Sequence, residues 1–465
     1  MKKVIIIGAG ISGLAAAWRL SENGYETLVV ESSNQIGGLA RSIKFDKYLL
    51  DIGPHSFFTE DREIYNKIIG LFKNEPSALP FSKRSVKMYF RGNYVDYPLS
   101  AKSVLFQMGI LSPILSVLSF AKSYIKVLIR GFLKKPEPNK EEMTIEEWAT
   151  DNFGRYLYLN FFKPYTEQFW KIKTQDLSHR VIPSSKKMDF AKTLKHLFLK
   201  KYVDISKREP GSASLVERES LPSYYPKKGF GEITDRIANE VINKGNKIIT
   251  GYKVDKIYID QNSIKISNTK EEFAGDYLIS TIPLNNLLEK INPHPSSLTL
   301  KASKNLEYLC LVLVYIITKK KDVLNCQYCY FIDKPYNRIS EMNNFSNETS
   351  PDDENILSVE ISCHFNDKVW NMKNEEIFTL CMDSIKKDNL LNDEDVMDYK
   401  VVKVPSVYPI YRKNYDQELT LVNNYLERIK KFHSIGRQGQ FYYGDIDQMA
   451  RIGFDSADKI IKENK

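Results

Sequence analysis

Val4-Ile5-Ile6-Ile7-Gly8-Ala9-Gly10-Ile11-Ser12-Gly13 decides the fold. A short continuous apolar run suits a central strand of a parallel sheet. The glycines that follow divide three tasks. Gly8 permits the tight turn, Gly10 lets the backbone approach a pyrophosphate, and Gly13 allows helix to pack closely on strand. Ser12 lies within that turn, and Leu14 to Leu20 has helical spacing. The N-terminus of such a helix offers free N–H groups and a favourable dipole to an anion. Thr27-Leu28-Val29-Val30 reads as the next strand, and Glu31 ends it about 18 residues after Gly13, where a carboxylate accepts both ribose hydroxyls. Strand, helix and strand in about thirty residues make one βαβ unit.

Outward from this unit the pattern changes. Residues 60 to 220 read as mostly helical and aromatic-rich, with a linker-like KKPEPNKEE at 134–142 and a polar loop at 203–223. Ile233–Val241 reads as a helix, 247–266 as short strands, Leu278–Pro283 as a strand ending in a turn, and Leu309–Ile317 as a further strand. Asp447–Ile461 reads as a final helix, and no internal repeat is visible.

A chain of 465 residues suggests two or three domains. At 42% hydrophobic and 27% charged it is neither disordered nor fibrous. Five cysteines are few and odd in number, which argues against a disulfide framework and for a reducing, cytoplasmic setting. Cys326 and Cys329 form a C-x-x-C with no second pair, so they read as ordinary thiols rather than a zinc or redox centre, and no metal is expected. The net charge of +9 favours an anionic partner such as a nucleotide, a phosphate or an acidic membrane surface. Lys2 and Lys3 before an apolar run mimic a signal peptide, but glycines punctuate the run and no small-residue cleavage site follows. Val104 to Ala121 carries no charge, Pro113 breaks it, and Lys122, Lys126, Arg130, Lys134 and Lys135 follow. Two readings stand for 104–121: two short buried helices, or a peripheral membrane contact.

Gly37-Gly38-Leu39-Ala40-Arg41 follows Glu31 at once, and together they resemble the FAD signature of the amine oxidase and protoporphyrinogen oxidase superfamily. Within it, Asp51-Ile52-Gly53-Pro54-His55 is similar to the Gly-x-His loop of UDP-galactopyranose mutases, which runs beside the flavin; Phe58 stands where those enzymes keep a second histidine. The stretch from Tyr165 to Trp170 resembles the mutase segment whose tryptophan lines the nucleotide-sugar cleft, with Lys171 in place of the usual glycine. Tyr224 to Gly231 is general to the superfamily, and Arg338-Ile339-Ser340-Glu341 and Tyr408-Pro409-Ile410 resemble mutase stretches. Gly436-Arg437, Tyr443 and Asp445 match the string in which an arginine and an aromatic hold the diphosphate and an acidic segment enters the flavin helix.

The resemblance implies an α/β protein: a Rossmann-type, glutathione-reductase-like FAD domain (1–90, 224–290 and 400–465) with an inserted helical plus antiparallel-sheet substrate domain (91–223 and 291–399). It implies FAD, held without a covalent bond and active when reduced, with no cysteine near the C-terminal motif to form one. Gly8, Gly10, Ser12, Gly13, Glu31, Gly38, Arg41, Gly53, Pro54, His55 and Asp445 are the expected cofactor residues. Trp170, Arg180, Arg338, Tyr408, Arg437 and Tyr443 are the expected substrate residues, with His55, Arg437 and Tyr443 catalytic. The substrate expected from the family is a UDP-sugar used in cell-surface glycan synthesis, with no nucleic-acid partner. The alternative is an oxidase or dehydrogenase of the protoporphyrinogen or amine oxidase type, passing hydride to FAD.

Overall fold

The computed structural model describes residues 2–90, 92–97, 112–132, 142–182, 221–260 and 263–464. The run Val4–Ile7 is buried throughout and lies in the strand Lys3–Ile7. That strand is the centre of a five-stranded parallel sheet, ordered Phe432–Ser434, Tyr277–Ser280, Lys3–Ile7, Glu26–Val30, Lys247–Ile249. A strand covered on both faces has no use for polar alternation, which is why it reads as unbroken Val and Ile. The helix Ile11–Glu22 packs on this sheet and is itself covered by the helices Gly231–Asn243 and Ile446–Glu463. Its small face, Ser12, Ala15 and Ala16, lets Gly453 of the last helix approach so closely that a Cβ there would lie 2.9 Å from the Ala15 Cβ.

A seven-stranded sheet forms the second layer system. Its order is Val396–Pro409, Tyr308–Thr318, Asn355–Cys363, Arg338–Glu341, Tyr328–Phe331, Val86–Phe90, Asn93–Asp96. The strand Tyr308–Thr318 is buried at all eleven positions. Its even positions, Cys310, Val312, Val314 and Ile316, pack towards the helix Asn374–Lys387, and its odd positions, Leu311, Leu313, Tyr315 and Ile317, pack against the hairpin Ser42–Phe45/Tyr48–Asp51. That is the period-two division of a sheet covered on both sides. A smaller four-stranded sheet, ordered Glu272–Gly275, Ile264–Ser267, Lys256–Ile259, Ile291–Asn292, completes the strands.

The helical layer runs through Ile145–Leu157, a π-turn at Tyr158–Phe162, and Lys163–Trp170. Thr144 and Glu147 form a capping box at its start, satisfying two backbone donors reciprocally. At its end Lys171 adopts φ 55°, the left-handed position where glycine is favoured, which gives a backbone reason for the glycine of the resembling segment.

The helices and strands expected after residue 230 appear at Gly231–Asn243, 247–267, Tyr277–Ser280, Tyr308–Thr318 and Ile446–Glu463. The region from 60 to 220 is not uniformly helical. Val86–Phe90 and Asn93–Asp96 are strands, the first pairing in parallel with Tyr328–Phe331, a partner more than two hundred residues away that local periodicity cannot reveal. The linker at 134–142 and the loop at 203–223 lie mostly outside the described residues, as do 104–111. The described part of the apolar segment is one continuous helix, Ser112–Phe132, with Pro113 in its first turn, where its missing N–H costs nothing. In this described part several large apolar side chains face outward and are not buried, while the first of the two expected short helices, before Pro113, lies outside the described residues. No helix among the described residues is long and apolar enough to cross a membrane.

Candidate active site

Three glycine stretches far apart in sequence meet at the start of the helix Ile11–Glu22. Gly8 has φ 100°, and its N–H donates to the Val30 carbonyl at 2.8 Å, bending the chain out of the sheet. No side chain caps the helix and no acidic residue lies in its first turn, so its positive end is left for an anion. Gly37 bridges to Gly10, its N–H donating to the Ala9 carbonyl at 2.8 Å. A Cβ on Gly38 would lie 3.1 Å from the Gly10 Cα, and one on Gly436 (φ 80°) would lie 2.8 Å from the Ser12 Oγ. Glu31 is held beside them: Oε2 accepts from the Ala9 N–H and Oε1 from the Ser33 N–H, both at 2.9 Å. The Arg41 guanidinium donates to the Gly38 carbonyl at 2.7 Å, and burial lowers its pKa. Uncapped N–H groups, side-chain-free backbone and a fixed carboxylate form a donor and acceptor set that fits the pyrophosphate and ribose of a dinucleotide.

Asp51 anchors the neighbouring wall. It is fully buried and accepts from Ser42 Oγ (2.5 Å), Tyr225 Oη (2.6 Å) and the Phe230 N–H (3.1 Å). Burial pushes its pKa up to about 6, against those hydrogen bonds. The chain then turns through Gly53 (φ 78°) and Pro54 to His55. His55 Nε2 lies 3.0 Å from the carbonyls of both Leu39 and Ile52, which assigns the proton to Nε2 and leaves Nδ1 an acceptor. Burial first, then the charge of Arg437, lowers its pKa to about 4, so it is neutral at neutral pH. The Phe58 ring lies under the Arg84 guanidinium, 4.4 Å from its centroid.

Beyond His55 lies a group of aromatic rings and two arginines. Arg437, on the short helical turn Gly436–Gly439, donates to the Gly444 carbonyl at 2.6 Å and lies over the rings of Tyr408 and Tyr443, 5.6 and 5.5 Å from their centroids. Trp170 meets both tyrosines edge-on at 6.3 Å. The loop is fixed by Tyr411, whose hydroxyl accepts from the Tyr443 N–H at 2.8 Å and donates to the Phe441 carbonyl at 3.1 Å. Arg338 forms a two-pronged pair with Glu360, at 2.7 and 2.8 Å, and lies over Tyr328 and Tyr330. Tyr330 in turn meets Tyr165 and Tyr97. Burial holds the Tyr165, Tyr330 and Tyr443 phenols well above their ordinary pKa, so they are neutral donors. These side chains lie deep in the molecule yet keep some accessible surface, as cleft-lining groups do.

The arrangement thus joins His55, Trp170, Arg338, Tyr408, Arg437 and Tyr443. Arg180 stands on another element, the turn His179–Val181 beside the Trp148–His179 stack, outside these ring contacts. Asp445 caps the helix Ile446–Glu463 through a capping box with Gln448. Sequence reading missed Glu360, Tyr97, Tyr165, Tyr328 and Tyr330. Arg338 and Glu360 become partners through strand register, which a spacing of 22 does not betray. The Tyr-x-Tyr alternation at 328–330 was the available signal for two of the rings.

The model of the family described as flavin containing amine oxidoreductase matches residues 11–415. The chain belongs to this family. FAD is accordingly its cofactor, and the chain is an FAD-dependent enzyme of the amine oxidase superfamily with an α/β fold built on a parallel sheet. The chain is 26% identical over 186 residues to a probable UDP-galactopyranose mutase of Klebsiella pneumoniae, covering 39% of this chain and 44% of that one. It is 28% identical over 156 residues to protoporphyrinogen oxidase 2 of Arabidopsis thaliana, covering 33% and 29%. These matches span less than half the length of either relative. The crystal structure of a reduced UDP-galactopyranose mutase shares the fold at a TM-score of 0.78 and 21% identity, over 99% of this chain and 96% of that one.

Proposed function

We propose that this flavoenzyme is UDP-galactopyranose mutase-like, taking a UDP-sugar and interconverting its ring forms in cell-surface glycan synthesis. The observation that carries the reading is Arg437, set over Tyr408 and Tyr443 with no carboxylate within ion-pair distance among the described residues. An uncompensated guanidinium flanked by neutral phenols suits a diphosphate, whose oxygens accept from its fork of donors. Arg338 is already matched by Glu360, so its charge orients the cleft while the pair keeps it rigid. Trp170 offers an apolar edge to the nucleotide sugar.

On the cofactor side, Gly8, Gly10, Ser12 and Gly13 would hold the pyrophosphate and Glu31 the ribose. Gly38, Arg41, Gly53, Pro54, His55 and Asp445 would line the remaining length. None of the five cysteines lies beyond Cys381, so none stands in the C-terminal stretch where a thioether to the flavin would form, which favours non-covalent attachment. When bound and reduced, the flavin would supply a nucleophile to this cleft, and the diphosphate that leaves the sugar would stay held by Arg437. His55, neutral with its proton on Nε2, would offer Nδ1 as an acceptor and adds no competing charge to Arg437. Residues 1–90, 224–290 and 400–465 make the cofactor half in this reading, and 91–223 and 291–399 the substrate half, whose sheet also takes the strands Val86–Phe90 and Val396–Pro409. The setting is cytoplasmic.

The test is titration of the reduced flavin absorbance with UDP. The parent should respond. Arg437→Ala should keep FAD and lose about 1.5–3 kcal/mol of UDP affinity, roughly ten- to a hundredfold. A fully flavinated parent that is silent to UDP, yet consumes oxygen with an amine or a porphyrinogen, would replace the mutase reading with the oxidase one.

A further inference from the structure

We propose that the helix Ser112–Phe132 docks this protein on the surface of an anionic lipid bilayer. The helix packs on Ile145–Leu157 with its small polar side chains. Ser116 and Ser123 are buried, and the Ser119 Oγ accepts from the Tyr156 N–H at 3.0 Å. Gly154 (φ 81°) lets the two backbones come so close that a Cβ there would lie 2.7 Å from the Phe120 nitrogen. The opposite side is apolar and outward. Ile114, Leu115, Val117, Leu118, Ile125 and Ile129 are each 44–64% exposed. This inverts the usual amphipathic helix, whose apolar stripe faces the core and whose polar side meets water. Nothing among the described residues covers this side.

Charge selects the occupant. No Asp or Glu occurs between Asp96 and Glu137, while Lys102, Lys122, Lys126, Arg130, Lys134 and Lys135 do. Lys122 is exposed, and Lys126 and Arg130 repeat its position at intervals of four in the sequence. An apolar face accompanied by basic residues inserts its hydrocarbon at the acyl boundary while the cations meet anionic headgroups. A second copy of this chain would bring the same basic segment, which has no acidic residue from 97 to 136 to answer it, and be repelled. The helix lies in the interface and does not cross it.

The experiment sediments the FAD-loaded protein with vesicles of phosphatidylcholine, alone or mixed with phosphatidylglycerol. The parent should co-sediment with the mixed vesicles, less with phosphatidylcholine alone, and be released by salt. Lys122→Gln should weaken partition about fivefold. Leu118→Ser combined with Ile125→Ser should weaken it by more than roughly tenfold, with flavin content and far-ultraviolet circular dichroism kept. A parent that stays in the supernatant with both vesicle types overturns the proposal, as do variants that bind like the parent. So does a parent dimer in light scattering that the double variant abolishes without any vesicle binding, because a second copy then covers the face.

Discussion

Replacing Glu31 with alanine should have two separable costs. The first is paid without cofactor. The Ala9 N–H, in a fully buried residue, donates to Glu31 Oε2 at 2.9 Å, and removing the carboxylate leaves that donor without a partner. An orphaned buried donor costs about 1–3 kcal/mol. The Ser33 N–H loses a bond too, but water can replace it at a more open position, so it adds little. The second cost falls on FAD. A carboxylate accepting two ribose hydroxyls makes two charge-assisted bonds of about 1.5–3 kcal/mol each, so their loss weakens FAD by roughly two to four orders of magnitude. Glu31→Gln separates the costs, since its amide oxygen can still accept from Ala9 while its NH2 can only donate. The assays are denaturant unfolding of the apoprotein and quenching of FAD fluorescence on titration. Glu31→Ala should be less stable and bind FAD poorly, and Glu31→Gln should be near-parental in stability and weak in FAD. An alanine variant with parental apoprotein stability and parental FAD affinity would refute both the stapling role and the ribose role.

Glu360→Leu leaves the Arg338 charge deep in the molecule without its partner and should cost about 3–5 kcal/mol in denaturant unfolding, whereas adding Arg338→Met should recover much of it; a double variant no more stable than the single would contradict this. Lys171→Gly relieves a left-handed backbone position and should raise stability by about 1 kcal/mol in the same assay, while an unchanged midpoint would mean the strain is absorbed elsewhere. Two buried groups bend the pH dependence in opposite senses. Asp51, raised from 3.8 to about 6, is protonated more readily in the folded state, so its contribution is present below about 4 and lost as pH rises through 6. His55, lowered from 6.5 to about 4, contributes above 6.5 and loses that contribution as pH falls towards 4. His55→Gln removes the second effect, so the variant should gain on the parent in thermal unfolding between pH 6.5 and 4, and a pH-independent difference between them would show that His55 titrates normally.

What the sequence disclosed followed from how local each cause was. The turn at Gly8–Gly13, the strand Lys3–Ile7 and the helix Ile11–Glu22 are decided within a few residues by sterics and periodicity, and the same holds for the final helix. Val86–Phe90 takes its shape from a strand it meets only in the folded chain, and its own alternation is too short to announce this. Arg338 was visible as an arginine in a resembling stretch, but its permanent partner Glu360 was not, because strand register is a tertiary fact. For the segment that holds Ser112–Phe132 the sequence left a buried and a peripheral reading side by side: hydropathy counts how apolar a segment is, and only packing decides which side faces water.

The five-stranded sheet has a bearing on how the protein is made. Phe432–Ser434 and Lys3–Ile7 stand two places apart in it, and the helix Ile446–Glu463 lies directly on Ile11–Glu22. More than four hundred residues separate each pair in the chain. During synthesis the first strand and its glycine turn therefore leave the ribosome long before the segment that closes over them. For that interval the nascent chain holds an apolar strand with an open edge, and contacts of such sequence separation form slowly. The dinucleotide turn is thus completed only when the last fifty residues have been made, which makes loading of the flavin a late event in the life of the polypeptide.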